Sequence, residues 1–456
     1  MLGRIVTVVV PALLWLSPLP AEAEIKSALV VASFMVVAWI TKAFEYVLTG
    51  FMGCYLFWAL DVVSFETAFG GFASEAPWFV FGAVMLGMTV TTSGLGRRLA
   101  FLVLARLGTS YSRILLGFTV VSFLLTLVVP SGSACVIIKA TVALGLMQAF
   151  GLGPGSNIGR AVFLLLTYTA SLFNKMVIAG SSSILVHGLV KSLAQMEVLW
   201  SRWLLAFLPC IVATGIVVWR LSLWLFPAEK QLTLESRSFF ADELTRMGAW
   251  TPPEKRAGLL ILIGVGLWTT DFLHHISPAV IGLGVGLAAA LPYIGVLQAK
   301  DFKRMDYTPV FFVATALSLG KVLVKVGAID ILTGALFSWM DALITNNLTM
   351  AIVAYWTAFT YHFFLGSEVA MLSTSIPPLI HFAQSRGFNP LAVSMLWTLA
   401  GASKIFVYQS SVLILGYSYG YFEGRDLLRF GAWMTVIEFV IIVLLVTCYW
   451  PLIGLL

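Results

Sequence analysis

The segment SLFNKMVIAGSSS, Ser171 to Ser183, has a counterpart in SKIFVYQSS, Ser403 to Ser411. Each sets a lysine in an apolar run and then, six residues on, interrupts the run with small hydroxyl residues, so that Lys175 precedes Ser181 as Lys404 precedes Ser410. A cation, a loosened helix and a cluster of hydroxyls then share one depth. Inside a bilayer this is expensive, because an ionisable side chain costs several kcal/mol at mid-depth and unwound backbone persists there only where it lines a cavity or is buried in protein. Two such features predict the paired halves of one binding site.

Composition places the chain in a bilayer. Of its 456 residues 60% are hydrophobic and 11% charged, and a mean hydropathy of +0.98 is far above what a soluble domain tolerates. The expectation is an all-α polytopic protein of the cell inner membrane. The formal net charge of +6 does not indicate a nucleic-acid partner, since most basic residues sit in short loops beside apolar runs, where the positive-inside rule accounts for them. If the loops 94–113, 151–160, 227–256, 298–306 and 422–429 face the cytoplasm, that side holds Arg97, Arg98, Arg160, Lys230, Arg237 and Arg304 among others. The outer loops keep few, chiefly Lys26, Lys191, Arg202 and Arg386. Cys54, Cys135, Cys210 and Cys448 stand singly without CxxC spacing and read as buried small hydrophobes. His187, His362 and His381 show no ligand spacing, so no metal site is expected.

Residues 1–23 read either as a signal peptide, with Ala21-Glu22-Ala23 as its cleavage site, or as a first span. Beyond them, 24–226 and 256–456 read as two repeats joined by a cytoplasmic linker at 227–255. The paired runs 111–150 and 347–385 turn at Pro130-Ser131-Gly132-Ser133 and at Gly366-Ser367-Glu368, and read as re-entrant hairpins; 161–196 and 390–420 read as interrupted helices. Following the alternation, one hairpin opens from each side, the mark of an inverted repeat of about 10–11 transmembrane helices. FVFGAVMLGMTVTTSGLGRRL from Phe79 parallels FFVATALSLGKVLVKVGAIDIL from Phe311. Helices that begin within the membrane, after Ser133, Ser183, Glu368 and Ser411, present free N–H groups and about half a positive charge each, so a ligand shared among them is predicted to be an anion.

AWITKAFEYVLTGFMG at Ala38, DFKRMDYTPVFFVATALSLGKVLVKVG at Asp301 and SYGYFEGRDLLRFG at Ser418 resemble the corresponding segments of the divalent-anion/sodium symporters that carry dicarboxylates, citrate or sulfate. The resemblance runs over nearly the whole chain from about residue 28 and implies a dimerising scaffold with a transport domain that moves as an elevator. The family's Ser-Asn-Thr hairpin tips correspond to Ser131-Gly132-Ser133 and Ser367-Glu368-Val369, and its Gly-Thr-Pro-Pro-Asn breaks to Gly180-Ser181-Ser182-Ser183-Ile184 and Gln409-Ser410-Ser411-Val412-Leu413. Both tip asparagines are replaced, and a lysine stands beside each break.

The candidate substrate-binding residues are therefore Ser131, Gly132, Ser133, Asn174, Lys175, Ser181, Ser182, Ser183, Ser367, Glu368, Lys404, Ser410 and Ser411. Lys175 and Lys404 are expected to supply the positive charge that sodium would otherwise bring, which points to sodium-independent anion exchange. Sodium- or proton-coupled symport stays open, with a residual cation site near Ser131, Ser133, Gly180, Ser367 and Glu368; no other cofactor is expected. Glu368 is read first as an ion-pair partner of Lys404, then as a proton carrier or a cation ligand. Lys139 is expected to reach a water-filled crevice or a carboxylate. From other classes, an anion channel would use the same positive site without a moving domain. A membrane-embedded enzyme would need a base that no histidine or carboxylate supplies at catalytic spacing.

Overall fold

Secondary structure is helical throughout the described residues, as expected where no water can satisfy backbone groups. The computed structural model describes the chain apart from residues 1, 19–20, 108–109, 128, 130, 230–233 and 366, and apart from the side chains of 2 and 234–238. Pro130, Gly366, Lys230 and the Arg237 side chain thus lie outside the described residues. Among those residues, seven helices are long and apolar enough to cross a membrane. Apolar helices of 10–17 residues, too short to be simple spans, accompany them.

In chain order, α1 (Leu2–Leu16) packs on α2 (Ala23–Thr41), with the Thr7 and Thr41 hydroxyls 3.1 Å apart. Lys42, left-handed at φ 53°, ends α2, and Glu45 caps α3 (Tyr46–Ala59) by accepting from the Val47 and Leu48 N–H groups. There follow α4 (Glu75–Ser93) and the basic α5 (Leu95–Leu107). The chain then turns back between α6 (Tyr111–Thr126) and α7 (Gly132–Ala149). An interrupted pair, α8 (Asn157–Met176) and α9 (Ser181–Leu193), leads into α10 (Trp200–Leu225).

The second part comprises α11 (Leu234–Arg246), α12 (Pro252–Thr269), α13 (Pro278–Ala288), α14 (Thr308–Lys325) and α15 (Ala328–Phe337). A second turn-back follows between α16 (Asn347–Phe364) and α17 (Glu368–Ser385), then a second interrupted pair, α18 (Pro390–Ala400) and α19 (Ser411–Ser418), and the long α20 (Gly424–Leu444). Helices α4 and α13 cross with their backbones touching: a Cβ at Gly286 would stand 2.7 Å from the Gly82 carbonyl oxygen. This is the small-residue contact by which helices associate where lipid and side chains are equally apolar.

The region 227–255 is more than a loop. Its helix α11 lies against α5, where Phe101 meets Phe239 and Phe240 at ring separations of 6.4 Å. Arg98, buried rather than free in a basic loop, binds Glu254 at 2.7 Å and donates to the carbonyls of Met247, Gly248 and Ala249. The tryptophans divide as well: Trp39, Trp200, Trp203, Trp397 and Trp450 are fully buried, and Trp58, Trp78 and Trp224 are exposed. Cys54, Cys135 and Cys210 are buried as expected, whereas Cys448 is exposed on a helix that faces outward there.

Candidate functional site

Almost every residue from Asn157 to Leu193 is buried, so the first break sits at the centre of the molecule. Val177 and Gly180 are extended, and the helix ladder is open over 177–180. Its freed carbonyls find donors elsewhere. Trp203 and Trp200, on α10, donate indole N–H groups to the Lys175 and Ile178 oxygens at 3.1 Å each. Ser183 Oγ lies 2.7–3.1 Å from the Asn174, Val177 and Gly180 oxygens. Unwound backbone at this depth is tolerable because its polar groups are satisfied.

The second break spans 401–410 and is longer than the sequence suggested. Lys404 lies inside it, not on a helix ahead of it. Gln409 Oε1 accepts from the Ile405 and Phe406 N–H groups at 2.8 Å each, standing in for the missing turn. Helix α20 passes so close that a Cβ at Gly431 would collide with the Lys404 carbonyl oxygen.

Four helices start on one cavity of about 340 Å³. Their first residues are Gly132, Ser181, Glu368 and Ser411, each within three residues of the start read from sequence. The residues preceding them, Ser131, Gly180, Ser367 and Ser410, all line that cavity. Ser131, Ser367 and Ser410 cap their helices through Oγ, accepting from the Ala134, Ala370 and Val412 N–H groups, while Gly180 makes no side-chain cap. Four helix N-termini thus border one volume, an arrangement that favours negative charge. Of the candidate residues, Ser131, Gly132, Ser133, Asn174, Ser181, Ser182, Ser367, Glu368, Ser410 and Ser411 line the cavity.

Three candidates do not. Ser183 turns its hydroxyl back into the break, as described. Lys175 and Lys404 are each 1% exposed and stand behind the cavity wall, with Glu368 in front of them. Glu368 Oε2 is 3.0 Å from Lys175 Nζ and 2.9 Å from Lys404 Nζ. Ser171 ties the same two ammonium groups together, its carbonyl accepting from Lys175 at 2.6 Å and its hydroxyl from Lys404 at 2.7 Å. The expected Lys404–Glu368 pair is therefore one side of a triad. Two ammonium groups and one carboxylate leave one positive charge, and the carboxylate occupies the place in front of the lysines that a ligand carboxylate would take. A buried cation with two partners is affordable where an unpaired one is not.

Among the described residues, Lys139 joins neither the cavity nor a carboxylate. It is wholly buried between α6, α7 and α8, donating to Ser122 Oγ and the Leu166 carbonyl at 2.7 Å each. Lone hydroxyls and a carbonyl satisfy it, a partner set that helix spacing along one segment cannot reveal. Conversely, Gln409 was not among the candidates. It is fully buried and lines the cavity, and its Nε2 has no hydrogen-bond partner among the described residues. Because its oxygen is committed to two backbone N–H groups, the buried amide nitrogen is a spare donor beside an anion-favouring cavity. An amide within an otherwise apolar segment was the available signal.

Membrane-spanning helices around a cavity bordered by four helix starts define a polytopic membrane protein. The chain belongs to the family described as the sodium:sulfate symporter transmembrane region, whose model matches residues 1–456. It is accordingly a membrane transporter and not an enzyme. It is 28% identical over 462 residues to a Cupriavidus necator membrane protein, covering 93% of this chain and 87% of that one. It is also 26% identical over 397 residues to the citrate/succinate antiporter of Escherichia coli K12, covering 84% and 80% of the two chains. The L-tartrate/succinate antiporter of the same organism is 25% identical over 413 residues, covering 86% and 81%.

Proposed function

We propose that this protein is a secondary transporter that exchanges small organic dianions of the dicarboxylate class across the cell inner membrane without bound sodium. The observation that carries this reading is the meeting of four helix starts on one cavity directly in front of the Lys175–Glu368–Lys404 triad. Helix N-termini supply diffuse positive potential, and the two lysines supply fixed charge, which together do the work a bound cation would do. A volume of about 340 Å³ lies at the low end of the range for ligand cavities, about 300–1,000 Å³, which suits a short dicarboxylate with some water. The relatives named as citrate/succinate and L-tartrate/succinate antiporters favour exchange over symport.

In this reading 24–226 and 256–456 are inverted repeats, and the hairpins 111–150 and 347–385 enter and leave by one face each. The cavity-bearing core moves as an elevator against a scaffold that dimerises. Counterflow in proteoliposomes tests the function: labelled succinate should enter vesicles loaded with unlabelled succinate at the same rate with sodium or with choline outside. Uptake that needs sodium strictly would refute the exchange reading, and flux without trans-stimulation would mark a channel.

A further inference from the structure

Behind the second break lies an acidic centre that neither the cavity nor the lysine pair uses. Glu438 sits within α20 and is 1% exposed. Ser403, the residue before Lys404, donates its hydroxyl to Glu438 Oε2 at 2.6 Å. Oε1 has no hydrogen-bond partner among the described residues. The Tyr355 hydroxyl, from α16, stands 2.8 Å from Ser403 Oγ and donates to the Thr435 carbonyl at 2.6 Å. No lysine, arginine or histidine forms a salt bridge with Glu438 among the described residues. The groups within electrostatic reach are Tyr355 from α16, Tyr168 from α8, Cys210 from α10, and Lys404 and Lys175 at the breaks. The Tyr168 hydroxyl is itself buried, and its oxygen makes no geometric hydrogen bond among the described residues. An intramembrane carboxyl costs stability in every protonation state, and one lacking a cation is a candidate for function.

Charge balance indicates which function. With both carboxyls ionised, Lys175 and Lys404 offset Glu368 and Glu438, and these four groups together sum to zero. A dianion entering the cavity leaves two net negative charges in low-dielectric surroundings, where like charges repel strongly. A proton on Glu438 removes one of them. We propose that Glu438 is a proton-binding site coupled to the anion cavity, taking a proton from water onto its free carboxylate oxygen as the anion enters and returning it as the anion leaves. Only an O–H bond forms and breaks. The coupling is reciprocal, so acidification tightens the anion as the anion tightens the proton. This rests on the reading that the cavity takes an anion.

Succinate binding to the purified full-length chain, followed by calorimetry and by a pH-indicator dye in weak buffer, tests it. Wild type should take up a proton with bound succinate, and its affinity should rise by up to about tenfold for each unit fall in pH. Glu438→Gln, which keeps an acceptor for Ser403, should still bind succinate but lose both effects; the titration of succinate itself is common to both proteins. Ser403→Ala should move the midpoint of the wild-type profile, which a merely structural carboxyl would leave in place. If Glu438→Gln retains the wild-type pH profile, the proposal is overturned while the anion site stands. Should Glu438→Gln not fold, the wild-type dye signal decides: binding without proton uptake overturns the proposal. If wild type binds no succinate, the cavity reading falls and this inference with it.

Discussion

Replacing Glu368 by glutamine removes the carboxylate that stands between two ammonium groups and changes nothing in the lysines themselves. Both Nζ atoms lie within 3.0 Å of the same oxygen, so they are no more than about 6 Å apart, where their mutual repulsion at an effective dielectric of 20 is about 3 kcal/mol. Losing one member of a buried ion cluster destabilises by about 3–5 kcal/mol. The anion-free variant should therefore melt well below wild type in detergent. A dianion in the cavity supplies the missing negative charge and no longer competes with the Glu368 carboxylate. Succinate should then stabilise the variant more than wild type and bind it more than about tenfold tighter, since 1.4 kcal/mol is a factor of ten. Thermal melts with and without succinate, together with equilibrium binding, provide the measurement. A variant that melts low and is not rescued by succinate, or that binds it no more tightly, would refute the idea that the lysine pair acts on the ligand.

Gln409→Glu keeps the two backbone contacts to Ile405 and Phe406 but puts a carboxylate where the spare amide donor stood. It should lower the melting temperature, because an unpaired carboxyl is buried, and weaken succinate binding by at least about tenfold, read by calorimetry, given about 1.5–3 kcal/mol for a hydrogen bond to a charged group. Where the linker meets α5, Arg98→Ala leaves Glu254 buried without its partner and should cost about 3–5 kcal/mol in thermal melts, with Arg98→Met/Glu254→Leu recovering part of the loss. Burial alone would raise the Glu254 carboxyl, but Arg98 and Thr251 hydrogen bonds outweigh it and hold the group below the usual carboxylate range. Its contribution is thus fully present above the ordinary glutamate value of about 4.3 and lost as pH falls through the depressed one. Acid melts of wild type should lose stability there, and melts of Arg98→Ala should lose less.

Much of the site could be read along the chain because its parts are local. Ser131, Ser367 and Ser410 each cap the helix that follows, so a hydroxyl next to a break in an apolar run carries its own meaning. Lys175 and Lys404, singled out by their recurrence beside two breaks, do come together at Glu368. What each ammonium touches was beyond that reach. Lys139 carries the same charge in the same kind of helix and ends among Ser122, Thr169 and a carbonyl, because its surroundings come from α6 and α8.

The sequence alone determined that this chain lives in a bilayer as helices, where they are interrupted, and that the interruptions favour an anion, since hydropathy, capping and helix-end charge depend on neighbours a few residues away. Only the tertiary structure decided that Glu368 stands between both lysines and the cavity, that the Gln409 amide nitrogen has no hydrogen-bond partner among the described residues, and that Glu438 accepts from Ser403. Those facts depend on which distant segments meet, and in a low-dielectric interior the meeting sets the worth of every charge.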